Sequence, residues 1–131
     1  MLKIGVAEKR ITPPVGVELS GYAFGPSVGI LDELYAQALV MEINNEYFII
    51  ITSDLIGFSV ENVSEIRDRI EQATGIPGDR VMMSCSHTHS GPATMFLRHW
   101  GEYDQSYLIT LKSILIDLIV EAKSNLREAN L

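Results

Sequence analysis

Residues 47–86 contain the pattern that most restricts the fold. Residues 47–51 are apolar without interruption, residues 59–73 repeat apolar positions at helical spacing, and residues 80–86 form a second, largely apolar segment. An uninterrupted apolar run is typical of a strand covered on both faces, and Gly75 and Pro77 are suited to end the helix. A strand, a helix and a strand in this order favour a right-handed crossover between parallel neighbours. The sequence therefore predicts an α/β fold.

The segments before this unit predict further strands of the same sheet. Residues 34–43 and 47–53 both have strand character, and the short polar connection 44–46 between them is suited to a β-hairpin. Residues 3–8 alternate well enough for another short strand. Residues 16–29 are rich in glycine and predict a long loop, which in a compact domain is usually functional or mobile. A hairpin followed by a crossover makes the predicted sheet a mixed one.

The last predicted element is a helix over residues 103–125. Its main apolar face is accompanied by a second apolar flank, formed by Ile109, Ile116 and Val120. A helix that is apolar over so much of its circumference requires cover from two directions, and one small sheet supplies only one. We therefore expect residues 1–131 to be a single partial domain of a larger one, with the helices packed on the sheet. The last helix would be covered by a missing C-terminal segment or by a second copy in a homo-oligomer.

Length and charge exclude several classes of protein. A chain of 131 residues can bury one hydrophobic core but not two. Ten lysines and arginines against seventeen acidic residues give a net charge of −7, which disfavours nucleic acid as a partner because phosphate binding needs concentrated positive charge. The single cysteine, Cys85, excludes an internal disulfide. No signal peptide and no membrane-spanning apolar run is visible, so we expect a cytoplasmic protein without a membrane span.

Two of the three histidines lie close together after the last predicted strand. They are His87 and His89, within the segment SCSHTHSGP of residues 84–92. Side chains two residues apart in a strand point the same way, so an extended backbone would present both imidazoles to one point. Two neutral imidazoles make half of a metal site. The carboxyl ends of strands are where open α/β sheets place their ligands, and the neighbouring parallel strand brings Asp54 to the same edge.

Each of these residues also has a structural interpretation. Asp54 could cap a turn for purely local reasons. Cys85 could complete a metal site, but an isolated cysteine on an apolar strand is more often a small buried hydrophobe. No nucleophile-elbow motif surrounds any serine, and the glycines of residues 16–29 lack the spacing of a dinucleotide site.

Five segments, taken together, resemble the N-terminal part of the neutral/alkaline (non-lysosomal) ceramidase family. They occur in the family's order and at compatible spacing over roughly the first 92 residues. The segments are Ile-Thr-Pro-Pro-Val-Gly at 11–16, Gly-Tyr-Ala at 21–23, Gly29 with Asp32 and Leu-Tyr-Ala at 34–36, Ser-Asp-Leu at 53–55, and Ser-His-Thr-His-Ser-Gly-Pro at 86–92.

The resemblance implies a zinc-dependent amidohydrolase of lipid metabolism that cleaves the N-acyl bond of ceramide-like substrates. It makes His87 a zinc ligand and places His89 beside the zinc as a catalytic residue and a second metal-contacting side chain. Asp54, Gly21 and Tyr22 are expected near the site. The family's other ligands, a histidine, a glutamate and a tyrosine, come from much later in a far longer chain.

Catalytic zinc normally has three protein ligands and a water. We therefore expect residues 1–131 alone to bind zinc weakly and to be inactive. The alternative is a non-catalytic, self-associating α/β domain that retains a vestigial histidine pair. A third interpretation, the first-strand motif of a barrel amidohydrolase, is disfavoured by the early hairpin.

Overall fold

The computed structural model describes residues 1–22, 25–99 and 102–130. It contains seven strands and two α-helices within these residues. They are β1 (Leu2–Arg10), β2 (Leu19–Gly21), β3 (Tyr35–Ile43), β4 (Glu46–Ser53), α1 (Val60–Thr74), β5 (Val81–Cys85), β6 (Ser90–Pro92), α2 (Gln105–Ser124) and β7 (Arg127–Glu128). None of the described helices is long and apolar enough to cross a lipid bilayer.

Five of the strands form one mixed sheet in the order β5-β4-β3-β1-β7. The pair β4–β5 is parallel and is joined through α1, while the other pairs are antiparallel. Strands β3 and β4 form a hairpin whose turn residues, Asn44 and Asn45, have φ angles of 53° and 66°. Positive φ at both positions is the geometry of a type I′ turn, which asparagine tolerates better than most residues. The predicted mixed sheet with a hairpin and a crossover is confirmed.

Local capping residues set the limits of both helices. The Ser59 side chain accepts a hydrogen bond from the amide of Asn62 at the start of α1, and Gly75 adopts a left-handed conformation at its end. At the start of α2 the Asp104 carboxylate accepts from the amide of Tyr107 at 3.0 Å. A side chain that takes up an otherwise unpaired amide favours a helix start directly after it. For this reason α2 begins two residues later than the pattern of apolar residues predicts.

Both helices pack on the same face of the sheet. Ile66 and Ile70 of α1 are fully buried in one cluster with Ile49 and Ile51 of β4. The same cluster contains the buried residues of α2, which are Tyr107, Leu108, Leu111, Leu115, Leu118, Ile119 and Ala122. The hydrophobic core is therefore a single layer between the sheet and the helix pair.

The opposite face of the sheet is open, and the expectation that β4 is covered on both faces is wrong for the described residues. Ile49 and Ile51 are buried, but Phe48 and Ile50 are only half-buried and Thr52 is exposed. The uninterrupted apolar run of β4 therefore indicates more cover than this chain provides.

The second apolar flank of α2 also remains partly open. Ile109 is 63% exposed and Val120 is 46% exposed.

Tyr107 joins α2 to the first loop by a buried hydrogen bond. Its hydroxyl donates to the Ile11 carbonyl oxygen at 2.6 Å, and burial raises the pKa of this phenol well above its ordinary value. Replacing Tyr107 by phenylalanine is expected to lower the free energy of unfolding by about 1–3 kcal/mol, because the buried carbonyl of Ile11 loses its donor. Urea denaturation of both proteins measures the difference.

The phenol also makes this difference depend on pH. The folded-state pKa exceeds the unfolded value of about 10, so the contribution of Tyr107 is complete below that pH and declines above it. Between neutral pH and about pH 10.5 the wild type should therefore lose more stability than the phenylalanine variant. Equal stability of the two proteins at neutral pH would contradict this account.

Candidate active site at the end of the sheet

A small second sheet holds the histidine segment against the glycine-rich loop. Strand β2 pairs antiparallel with β6, so that Gly21 lies opposite Ser90. The amide of Ala93 extends this connection to the carbonyl of Glu18 at 3.0 Å. The sequence predicts only a loop over residues 16–29, because strands of three residues that contain glycine or proline have no pattern of their own. The consequence for the site is that the Gly21–Tyr22 segment lies directly beside the second histidine.

The segment that follows β5 is joined by backbone hydrogen bonds to the segment that follows β4. The amide of Ser86 donates to the carbonyl of Ser53, and the amide of His87 donates to the carbonyl of Leu55, each at 3.0 Å. Leu55 is fully buried and anchors this connection in the core. The parallel pairing of two strands therefore carries both segments to the same edge of the sheet.

The side chain of His87 is fixed by one backbone carbonyl. Its Nδ1 lies 2.7 Å from the carbonyl oxygen of Ile56. A carbonyl oxygen can only accept a hydrogen bond, so Nδ1 carries the proton and the lone pair of the neutral ring is on Nε2. This residue is exposed and has a φ of 59°. The backbone strain of a left-handed residue other than glycine occurs often at functional sites.

His89 faces His87 from a half-buried position. The two ring centroids are 4.8 Å apart with an interplanar angle of 72°. The ring centroid of Tyr22 also lies 4.8 Å from that of His89. The structure thus brings Tyr22, His87 and His89 together.

The backbone conformation that brings the two imidazoles together differs from the expected one. The expectation of an extended backbone through both histidines is wrong, because β5 ends at Cys85 and His87 is left-handed. The rings converge through that turn rather than through strand alternation.

The carboxylate of Asp54 has a structural partner. Its Oδ2 accepts a hydrogen bond from the amide of Tyr35 at 3.1 Å, and its own amide donates to the Tyr35 carbonyl at 2.9 Å. These bonds tie the end of β4 to the start of β3. The capping interpretation therefore accounts for the carboxylate, while a role of Asp54 in the site remains a prediction.

Cys85 packs against the hydrophobic core rather than standing free in the loop. Burial raises the pKa of its thiol to about 11. Metals bind the thiolate form, so a thiol that stays protonated at neutral pH is a poor ligand. This favours the interpretation of Cys85 as a small apolar core residue.

Several groups that position the histidine segment have no signal in the sequence. The buried hydroxyl of Thr94 donates to the carbonyl of Gly57 at 2.6 Å, and Ile56 uses its carbonyl to hold His87. Backbone carbonyls occur at every residue, so no composition or spacing indicates which one a histidine will use.

The two imidazoles are the side chains of this site whose chemistry suits a metal ion. Among the residues that the structure describes, no group of three or more His, Cys, Asp or Glu side chains is placed to hold a metal ion. A complete catalytic zinc site normally has three protein ligands. The arrangement fits one part of such a site.

Gly21 allows the close approach of its strand to His89. A β-carbon added to Gly21 would collide with the backbone of His89 and lie 2.6 Å from its carbonyl oxygen, and the φ of Gly21 is 117°. Gly16 offers a matched control, since it has a φ of 105° with no atom within 4 Å of an added β-carbon. Gly16→Ala should cost about 1–3 kcal/mol from backbone strain alone.

Gly21→Ala should therefore destabilise the protein more than Gly16→Ala and should displace His89. Chemical denaturation gives the stability difference, and the imidazole NMR resonances of His89 report its displacement. If the two alanine variants leave the His89 resonances equally unchanged, Gly21 does not position this histidine.

Comparison with known proteins gives a match by structure and none by sequence. No family model matches the chain, and no curated protein gives a significant match. The structure of neutral ceramidase from Pseudomonas aeruginosa superimposes with a TM-score of 0.84 at 20% sequence identity. A second structure, of a ceramidase complexed with C2, gives a TM-score of 0.83 at 19% identity. Each match covers 96% of this chain but only 22% of the other one. The chain therefore has the fold of one part, about a fifth, of a neutral ceramidase.

Proposed function

We propose that this chain is part of a zinc-dependent amide hydrolase that cleaves the N-acyl bond of ceramide-like lipids. The observation that carries the proposal is the hydrogen bond from His87 Nδ1 to the Ile56 carbonyl, 2.7 Å long, beside the ring of His89 at 4.8 Å. Metal-binding histidines commonly donate their second ring nitrogen to a backbone carbonyl, which fixes the tautomer and the ring orientation. His87 has this arrangement.

The two histidines have different parts in the proposal. His87 is exposed, has its Nε2 lone pair available and would hold the zinc ion. His89 is half-buried with its ring near those of His87 and Tyr22, and would contact both the metal centre and the substrate. When bound, zinc would supply Lewis acidity to the amide carbonyl and to water.

His89 would act on the reacting atoms directly. The His89 backbone lies against Gly21 and its ring contacts that of His87, so the orientations open to the imidazole are restricted. From this position His89 would orient the attacking water or donate a hydrogen bond to the oxyanion that develops on the carbonyl oxygen. Gly21 supports this role, because its missing side chain leaves the space in which the His89 backbone lies.

Residues 1–131 alone would be inactive and would bind zinc weakly. Two imidazoles leave the remaining coordination positions to water, and metal affinity depends on a closed set of ligands. Proton transfer and oxyanion stabilisation by further side chains each contribute a factor of about 10² or more in rate. We infer that these groups belong to the four-fifths of a ceramidase-type protein to which this chain does not correspond.

A second candidate function is a non-catalytic α/β domain that associates with itself and keeps the histidine pair as a vestige. The observation in its favour is that no third metal-binding side chain is placed beside the two imidazoles among the described residues. The two candidates differ in what an extended protein does. A vestigial pair gains neither zinc nor activity when more of the polypeptide is present.

The experiment compares the 131-residue chain with a longer protein in which the remaining ceramidase-like sequence follows it. Zinc content by elemental analysis and hydrolysis of a fluorogenic N-acyl sphingosine are measured on both. The proposal predicts about one zinc per chain and turnover in the longer protein, and neither in the short one. Stoichiometric tight zinc with turnover in the short chain would contradict the half-site. A longer protein without zinc and without turnover would favour the vestigial domain.

A further inference from the structure

The face of the sheet opposite the helices has an organised pattern of side chains. We call it the open face, and it consists of outward-pointing residues of β1, β3, β4 and β5. The strand register aligns one apolar row across all four strands, and this row is Val6, Leu39, Ile50 and Met82. A second apolar row lies beside it and consists of Ile4, Met41 and Phe48. The two rows make a continuous apolar surface.

This surface is incompletely covered in the chain. Val6 is 59% exposed and Met82 is 56% exposed, while Leu39 and Ile50 between them are half-buried. Both described helices pack on the other side of the sheet. An amphipathic sheet of this kind normally buries its apolar face against another layer. Contiguous exposed apolar patches on a protein surface mark interaction sites.

A polar row limits the apolar surface on the side of the histidine pair. Thr52 donates to the side-chain oxygen of Gln37 at 2.8 Å, and Gln37 donates to the carboxylate of Glu8 at 2.9 Å. The row therefore ends in a negative charge on β1. A layer that fits the open face would be apolar over the first two rows and would bring a hydrogen-bond donor or a cation to Glu8.

We propose that the open face is the docking surface for a second layer from the rest of a ceramidase-length polypeptide, lying back to back with the helix-covered core. The chain corresponds to 22% of the ceramidases it matches, so about four-fifths of such a protein is outside it. A second copy of this chain fits less well. It would bring its own net charge of −7 against an equal charge, and this repulsion opposes the association of two copies. The proposal rests on the proposed function, since it assumes a ceramidase-like whole protein.

The experiment uses substitutions of one kind at matched positions. Ile50→Lys puts a charge in the centre of the open face, and Val6→Lys does so in the same row at a more exposed position. Val28→Lys is the control, because Val28 is 97% exposed in the loop before β3 and lies outside the open face. Binding of an environment-sensitive hydrophobic dye, the molar mass in solution and the melting temperature are measured on the 131-residue chain and on the longer protein.

In the short chain we expect a monomer whose dye fluorescence falls several-fold with Ile50→Lys or Val6→Lys and is unchanged by Val28→Lys. In the longer protein the dye should not bind, and the two open-face substitutions should lower the melting temperature while the control does not. A discrete dimer that Ile50→Lys dissociates would assign the face to a second copy and overturn the proposal. A short chain that binds no dye would also overturn it, as would a longer protein that still binds the dye.

These measurements do not involve zinc. If the longer protein lacks zinc and turnover but does not bind the dye, the docking surface is supported and the proposed hydrolase function is contradicted.

Discussion

Replacing Gly5 by valine is expected to lower the free energy of unfolding by about 3 kcal/mol or more. Gly5 lies in β1 and packs directly against the backbone at the end of α2. A β-carbon at this position would collide with the carbonyl oxygen of Ala122 and lie 3.0 Å from the amide of Leu126. Both obstacles are backbone atoms, so relief requires the helix to move away from the sheet. Ala122 is fully buried, and such a movement would open the core around it.

Gly29→Val provides the control for this prediction. An added β-carbon at Gly29 meets no atom within 4 Å, and its φ lies outside the left-handed region. The substitution there should change stability by no more than about 0.5 kcal/mol. Equilibrium denaturation in urea, analysed at constant m-value, measures both variants. If Gly5→Val proves as harmless as Gly29→Val, the close contact between α2 and β1 is not a feature of the protein.

The second large effect concerns the two histidines in the longer protein. His87→Ala should remove both zinc and hydrolysis, because the ligand itself is lost. His89→Ala should lower kcat by about 10²–10⁴ and leave a substantial part of the zinc bound, since His89 acts mainly on the reacting atoms. Zinc content and steady-state kinetics on the same samples separate the two roles. Loss of zinc in both variants to the same extent would make the histidines equivalent ligands and would contradict the catalytic role of His89.

The strand–helix–strand unit is predictable from the sequence because each of its elements has a strong local pattern. The apolar run of β4, the apolar repeat of α1 and the glycine at position 75 indicate the same structure, and the parallel pairing follows from their order. The hairpin turn at Asn44 and Asn45 is equally local. The placement of His87 and His89 at this edge of the sheet follows from the same pairing.

The details of the candidate site depend on contacts between distant segments, and local patterns do not indicate them. The pairing of β2 with β6 joins residues about 70 positions apart. Each of these strands has only three residues, and side-chain alternation cannot be recognised over so short a length. The left-handed turn at His87 is stabilised by the carbonyls of Leu55 and Ile56, and carbonyls have no sequence signature. For these reasons the sequence indicates the histidine pair but not the way in which the two rings meet.

The open face shows a different limit of sequence patterns. The apolar run of β4 predicts cover on both sides, and the structure provides it on one. The apolar pattern of a strand shows that its side chains are suited to burial, and does not show whether residues 1–131 bury both of its faces. The same reasoning applies to Ile109 and Val120 on α2, which remain exposed.

The most direct test of the paired imidazoles is a zinc titration of the 131-residue chain, followed by NMR of its three histidine side chains. We expect the resonances of His87 and His89 to change together, with weak affinity and no hydrolysis, while those of His99 do not change. His99 is the natural control because it is exposed and lies outside the pair. In the His87→Ala variant, the zinc affinity obtained from the His89 resonances should be lower by at least about tenfold. An equal response of all three histidines, or a response of His89 that survives the loss of His87, would contradict a shared metal site at the end of this sheet.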